Sequence, residues 1–243
     1  LGLAAHIGAY FQGIRMNQDI GAVDHAYRTL KEMAASFAFK PDERLNESAI
    51  SVQLSISRTP LREALNRLTA EGFLTFRRGQ GFHCRSLNPA EMMDLYEARA
   101  AIEGEAARLA ARRAEPQEIS ELETYLEQSK ACYTSGVSPI EIVRLDEEFH
   151  RRVALMSRNA ELVRLLDNGA ARIQYIRVID LQLLSERDGA PAITTEPHAC
   201  ILAAVSAGDE EGAAREMRSH ITRRLEEVTA NVRLAFSRLY APY

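Results

Sequence analysis

The tetrapeptide Ser57-Arg58-Thr59-Pro60, followed at once by Leu61, Ala64, Leu65 and Leu68 at helical spacing, constrains this chain more tightly than any other stretch. A proline inside a helix removes a hydrogen bond and clashes with the preceding turn, so this apolar run is helical only if Pro60 lies at its start. The residue before a proline avoids helical torsions, which predicts a boundary at Thr59, with its hydroxyl as the cap and Pro60 at the first helical position. The face opposite the leucines carries Arg62, Glu63, Asn66 and Arg67, and Arg58 stands just ahead of the first turn. Two guanidiniums at the entry of a short amphipathic helix suit bidentate contacts to guanine edges or to phosphates, as in a DNA-recognition helix. Taken alone, the segment reads equally well as an ordinary amphipathic helix with a solvated basic face.

The flanks favour the first reading. Upstream, Leu45, Ile50 and Leu54 predict a short helix, with Ser55-Ile56-Ser57 as a turn. Downstream, residues 73–76 and 82–85 read as two short strands around the basic, glycine-bearing tip Arg77-Arg78-Gly79-Gln80-Gly81. Helix, turn, helix and hairpin is the order of a winged helix-turn-helix domain, whose wing presents Arg77 and Arg78 to the minor groove or to phosphates. An earlier helix over residues 22–39, with Ala26, Leu30, Met33 and Phe37 on one side, precedes the turn Lys40-Pro41-Asp42-Glu43. Between residues 21 and 88 ten basic and seven acidic side chains balance at +3, leaving −7 for the remainder of a chain whose net charge is −4. A cationic first part and an acidic second part fit one domain on DNA and another that does not touch it.

The stretch RLNESAISVQLSISRTPLREALNRLTAEGFLTFRRGQGFHC resembles the N-terminal domain of GntR-type transcription regulators, in its leucine-asparagine-glutamate opening, its SRTP-L-REAL core and its glycine-bearing wing. The resemblance implies DNA contacts by Arg44, Arg58, Thr59, Arg62, Asn66, Arg77, Arg78 and Gly81. Ser55 departs from the family, which usually carries glycine there. Serine is expected to be tolerated because the turn need not adopt a positive φ.

Asn88-Pro89 marks the domain junction, and the rest of the chain reads as almost wholly helical. Breaks at Glu115-Pro116, Ser135-Gly136, Asp188-Gly189-Ala190-Pro191 and Gly208 predict six helices, over residues 90–113, 117–134, 139–156, 161–185, 195–207 and 210–239. Short connections between them imply an antiparallel bundle. The fold class expected is mainly α, a winged helix-turn-helix domain followed by a six-helix bundle. The domains expected are an extension over 1–20, the DNA-binding domain over 21–86, and an effector-binding and dimerisation domain over 87–243. Residues 1–20 show no period, Tyr10-Phe11-Gln12-Gly13 resembles the end of a protease recognition site, and Met16 is expected to be the natural start. No apolar run approaches the roughly 20 residues of a membrane span. The three scattered cysteines, Cys84, Cys132 and Cys200, suggest neither a disulfide framework nor a cysteine-based zinc site, and a reducing cytoplasm fits best.

The segments YEARAAIEGEAARLAA, LDEEFHRRVALMSRNAEL and EPHACILAAVSAGDEEGAAREMRSHI resemble the helical FCD ligand-binding domain of the FadR-type branch, and six helices point to its VanR-like subgroup. Asp146 and His150 stand four apart in a helical stretch and project from one face. Such a pair is common on solvated helices, and a lone histidine such as His198 or His220 is ordinarily a surface or hydrogen-bonded residue. The resemblance shifts that balance. Metal-binding members of the family carry an Asp and a His four apart and two further His on later helices, and all four positions are filled here. This implies a divalent ion held by one carboxylate and three imidazoles. Zn²⁺ is favoured, and Ni²⁺, Mn²⁺ and Fe²⁺ are compatible.

The resemblance further implies a homodimer on a near-palindromic operator, and a small carboxylate effector bound beside the ion. Arg99 matches an arginine of the family's effector cavity, with a salt bridge to Glu103 as its alternative role, and Arg172 is a second candidate. Two rival readings differ in kind: a regulator whose effector is the ion itself, and a metal-dependent hydrolase. No motif places a general base, a nucleophile elbow or a phosphate loop, so no enzymatic activity is expected.

Overall fold

A computed structural model of the chain describes residues 21–134, 137–188, 195–223 and 225–240. The expected extension over 1–20 and most of the loop after Asp188 lie outside the described residues. The chain divides into two compact units. Of the described residues, one unit comprises 21–87 together with 234–240, and the other runs from Asn88 to Arg233. The closing stretch, expected with the bundle, thus clusters with the first unit.

The first unit contains α1 (Ala22–Ala35), α2 (Glu47–Gln53), α3 (Arg58–Ala70), β1 (Leu74–Arg77) and β2 (Gly81–Cys84). The strands pair antiparallel, Leu74 with Cys84 through Arg77 with Gly81, and Arg44 adds a bridge to His83. Leu61, Ala64, Leu65 and Leu68 of α3 are fully buried. Each such leucine stabilises the fold by roughly 1.5–3 kcal/mol. A polar network ties α3 to α1. Tyr27 donates its hydroxyl proton to Glu71 at 2.7 Å, Lys31 reaches the same carboxylate at 3.2 Å, and the Arg67 guanidinium lies 3.7 Å over the Tyr27 ring.

Three local expectations need correction. Helix α3 starts two residues earlier than expected, with Ser57 rather than Thr59 as the cap residue and no side-chain capping bond. Pro60 falls third in the first turn, where its missing N–H still costs nothing. Helix α1 ends at Ala35 instead of running to residue 39, because Phe37 turns to φ +52° and the chain folds back to bury both Phe37 and Phe39. Ser55 stands at φ +54°, so the turn between α2 and α3 does require a positive φ. Serine tolerates it at some cost, since the left-handed region disfavours a Cβ.

The second unit contains α4 (Pro89–Arg113), α5 (Pro116–Thr134), α6 (Pro139–Met156), α7 (Ala160–Asp188), α8 (Glu196–Ser206), α9 (Glu210–Ile221) and the first part of α10 (Leu225–Tyr240). Prolines open α4, α6 and α8 within their first two positions, as their locked φ and missing donor favour. Helix α4 is the centre, packed by α6, α7, α8 and α9. Among the described residues seven helices stand where six were expected, because the sixth splits at Thr222, whose ψ of 133° is extended. The Thr222 hydroxyl donates to the Arg218 carbonyl at 2.7 Å and Arg223 to the His220 carbonyl at 3.0 Å, satisfying the open end of α9. No glycine or proline announces this break, and the helix count no longer points to the VanR-like subgroup.

Candidate metal centre and DNA-reading surface

Asp146 and His150 lie one turn apart on α6, His198 lies in the first turn of α8, and His220 is the penultimate residue of α9. The three helices bring one ligand atom from each residue to within 4.8 Å of the others. The His220 Nε2 lies 3.2 Å from that of His150 and 3.1 Å from that of His198, and His198 Nε2 lies 3.2 Å from Asp146 Oδ1. Ligand bonds of about 2.0–2.1 Å to a tetrahedral ion would separate neighbouring ligands by about 3.3 Å, and an octahedral ion by about 2.9 Å. The three shortest edges fall between these values, and the His220 Nε2 to Asp146 Oδ1 edge is longer at 3.9 Å.

The proton count also favours an ion. His150 Nδ1 lies 2.6 Å from the Glu103 carboxylate, which holds the proton on that side and turns the Nε2 lone pair toward the cluster. A neutral His220 can donate from Nε2 to only one of its two imidazole neighbours, so one close pair of nitrogens is left without a proton between them. A cation at the centre satisfies all three lone pairs together.

The electrostatics are arranged around Asp146. Burial opposes its charge, but Arg177, then His150 and His198, outweigh burial and hold the carboxyl well below its usual range. Arg177 of α7 contacts Asp146 Oδ2 directly, leaving Oδ1 toward His198 and His220. Burial, then the neighbouring His150, pushes the His220 imidazole down to about 3, and burial lowers His198 as well. His198 and His220 are therefore neutral at pH 7, the form in which an imidazole binds metal. Behind them, Glu103 is fully buried. Burial raises its pKa, but Arg99 and His150 prevail and hold it down at about 2.

Arg99 engages Glu103 through Nε at 2.5 Å and is 4% exposed, so the salt bridge weighed as its alternative role is present. Gly169 of α7 makes room for it, since a Cβ there would stand 3.3 Å from Arg99 Cγ. Arg172 is half-buried, and burial lowers its pKa despite Glu91 nearby. Sequence reading missed Arg177 and the part Glu103 plays toward His150. Arg177 carries no local signal, standing 31 residues from its partner. Glu103, four residues after Arg99, was visible only as that arginine's partner.

In the first unit, Arg44, Arg58, Arg62 and Gly81 line one cleft of about 560 Å³ together with Asn46, Glu47, Ser48 and Gln80. Thr59, Asn66, Arg77 and Arg78 are exposed. Two of the guanidiniums meet carboxylates of the chain itself, Arg62 with Glu47 at 3.4 Å and Arg77 with Asp42 at 2.8 Å. Gly79 and Gly81 take φ +77° and +85° at the hairpin tip, a conformation that glycine adopts without strain.

A chain that carries a winged helix-turn-helix unit and a helical bundle falls in a class of DNA-binding proteins, and comparison with known proteins agrees. Residues 22–84 match the family model described as bacterial regulatory proteins, gntR family, and residues 94–223 match the FCD domain. The chain belongs to the GntR family, in its FCD-bearing branch, and is a DNA-binding transcriptional regulator rather than an enzyme. It is 40% identical to the Nta operon transcriptional regulator of Aminobacter aminovorans over 86% of this chain and 95% of that protein. It is 29% identical to the transcriptional repressor GlaR of Escherichia coli K12 over 80% of this chain and 90% of that one. Among solved structures, E. coli McbR/YncC shares the fold with a TM-score of 0.62 at 23% identity, over 90% of this chain and 99% of that chain.

Proposed function

We propose that this regulator binds a near-palindromic operator as a homodimer in the cytoplasm, and that a small organic acid bound beside a metal ion in the FCD bundle controls that binding. The observation that carries the reading is the convergence of Asp146, His150, His198 and His220 from three helices onto one point. One carboxylate and three imidazoles favour Zn²⁺, with Ni²⁺, Mn²⁺ or Fe²⁺ as compatible ions. When bound, the ion supplies a Lewis-acidic centre to which an effector carboxylate can coordinate in place of water. Arg99 and Arg172 add positive charge for that carboxylate, Arg99 while holding Glu103. Two recognition helices, each presenting Arg58, Thr59, Arg62 and Asn66, would address two half-sites, with Arg44, Arg77, Arg78 and the Gly81 backbone on the flanking phosphates or minor groove. An effector shifts operator affinity only by its difference in affinity for the two states of the protein.

The test is a thermal-shift screen of small organic acids with and without chelator, followed by anisotropy on a duplex selected by the protein from a random library. An acid that stabilises only the metal-loaded protein and changes its operator affinity supports the reading. Operator binding toggled by chelation alone, with no acid active, would instead make the ion the effector.

A further inference from the structure

The turn over residues 40–43 is gripped from three sides. Asp42 Oδ1 accepts from Arg77 Nη2 at 2.8 Å, and its Oδ2 accepts from the Ser86 hydroxyl at 3.0 Å. The Tyr240 hydroxyl, at the end of α10, donates to the Pro41 carbonyl at 3.0 Å, and its ring receives the Lys40 ammonium 5.1 Å from its centre. Tyr240 is itself stacked on Phe236 at 5.7 Å. Asp42 stands at φ +61°, in the left-handed region that Asp enters more readily than most L residues.

The Arg77–Asp42 pair is half exposed on both sides, and an ion pair so placed adds little stability. What the contact does fix is the direction of the guanidinium on the hairpin that carries Arg78 and the tip. We propose that Asp42 is a positioning residue for DNA reading, which aims Arg77 at the duplex, and that Tyr240 serves the same end by bracing the turn. This rests on the reading in which Arg77 of the wing meets DNA.

The sign of the effect separates positioning from plain charge. A carboxylate beside a polyanion repels it, so if Asp42 only contributes charge, removing that charge tightens binding. If Asp42 orients Arg77, its removal frees a rotamer-rich side chain that must be ordered again on binding.

The test measures anisotropy of the full chain on a duplex that the wild type selects from a random library. Asp42→Asn, Tyr240→Phe and Arg77→Ala are measured singly, and the first two also in the Arg77→Ala background. Asp42→Asn is expected to weaken binding by about two- to tenfold. Tyr240→Phe should weaken it less, at a temperature where melting curves show every variant folded. Both losses should vanish once Arg77 is alanine. Tighter or unchanged binding by Asp42→Asn overturns the proposal, as do losses that persist without Arg77. Unchanged binding by Arg77→Ala overturns it as well. A wild type that selects no duplex would sink the DNA reading itself. Should Asp42→Asn fail to fold, Tyr240→Phe alone carries the same comparison.

Discussion

Glu103 of α4 and His150 of α6 meet at 2.6 Å, carboxylate to Nδ1, with both side chains buried to within 2%. The pair joins the central helix of the bundle to the metal cluster. It also sets which nitrogen of His150 faces the other ligands, the usual work of a carboxylate behind a metal-bound imidazole. Replacing Glu103 with Gln should therefore leave the helices folded but lower metal affinity by about 10- to 100-fold. Competition against a chromophoric chelator reads this directly. Affinity equal to the wild type would show that Glu103 serves Arg99 alone.

Loss of a ligand should act differently from loss of its support. His198→Ala removes one nitrogen from the cluster, so the rise in melting temperature on adding Zn²⁺ should largely disappear, because a ligand stabilises only the state that binds it. The metal-free variant should melt close to the metal-free wild type. A full Zn²⁺-dependent shift in this variant would remove His198 from the ligand set.

On the reading surface, Arg58→Ala and Arg62→Ala should each weaken operator binding. Each should lower the slope of log affinity against log salt by about 1 if the lost contact is to phosphate. A bidentate base contact would instead appear as about 1–3 kcal/mol of lost discrimination between sequences. The Arg62 charge is partly offset by Glu47 at 3.4 Å, so Arg58→Ala should be the more damaging. Two variants with wild-type affinity and slope would count against α3 as the recognition helix.

Ser55→Gly should stabilise the first unit by about 1 kcal/mol, the cost of a side chain in the left-handed region. The residue is exposed, so no packing is lost. A melting temperature at or below that of the wild type would mean the serine gains more from its turn than it loses in strain.

The link between α1 and α3 should respond to acid. Burial raises the Glu71 pKa, but hydrogen bonds from Tyr27 and Lys31 prevail and hold it below the ordinary 4.5. The folded state thus keeps the charge to lower pH than the unfolded state does. The resulting stability is fully present above about pH 4.5 and is lost as pH falls through the depressed folded value. At neutral pH Glu71→Gln should cost about 1–2 kcal/mol, the scale of bonds to a charged group. The gap in melting temperature between the variant and the wild type should narrow as pH drops below 4.5. A gap that is constant from pH 7 to 3 would assign the effect to packing.

Much of the fold was legible because its signals are local. Pro60 and the leucine spacing mark α3 to within two residues, and the prolines at 89, 116 and 139 punctuate the bundle where the structure starts α4, α5 and α6. The four cluster residues were named by family resemblance rather than by spacing, since only Asp146 and His150 share a helix. Where the reading erred, tertiary contacts overrode local preference. Buried Phe37 and Phe39 turn the chain out of α1, and Thr222 and Arg223 close α9 without a breaker residue.

By itself, the sequence determined the kind of elements, their order and the class of protein. Apolar period, turn chemistry and the position of a proline act over a few residues and need no partner from afar. Only the tertiary structure decided that Arg177 holds one oxygen of Asp146, that Glu103 faces His150, and that Asp42 stands between Arg77 and Ser86. Each of these depends on side chains brought together from separate elements, and in a buried site the direction of a neighbouring charge, not its distance along the chain, sets which proton stays and which lone pair is left for a metal.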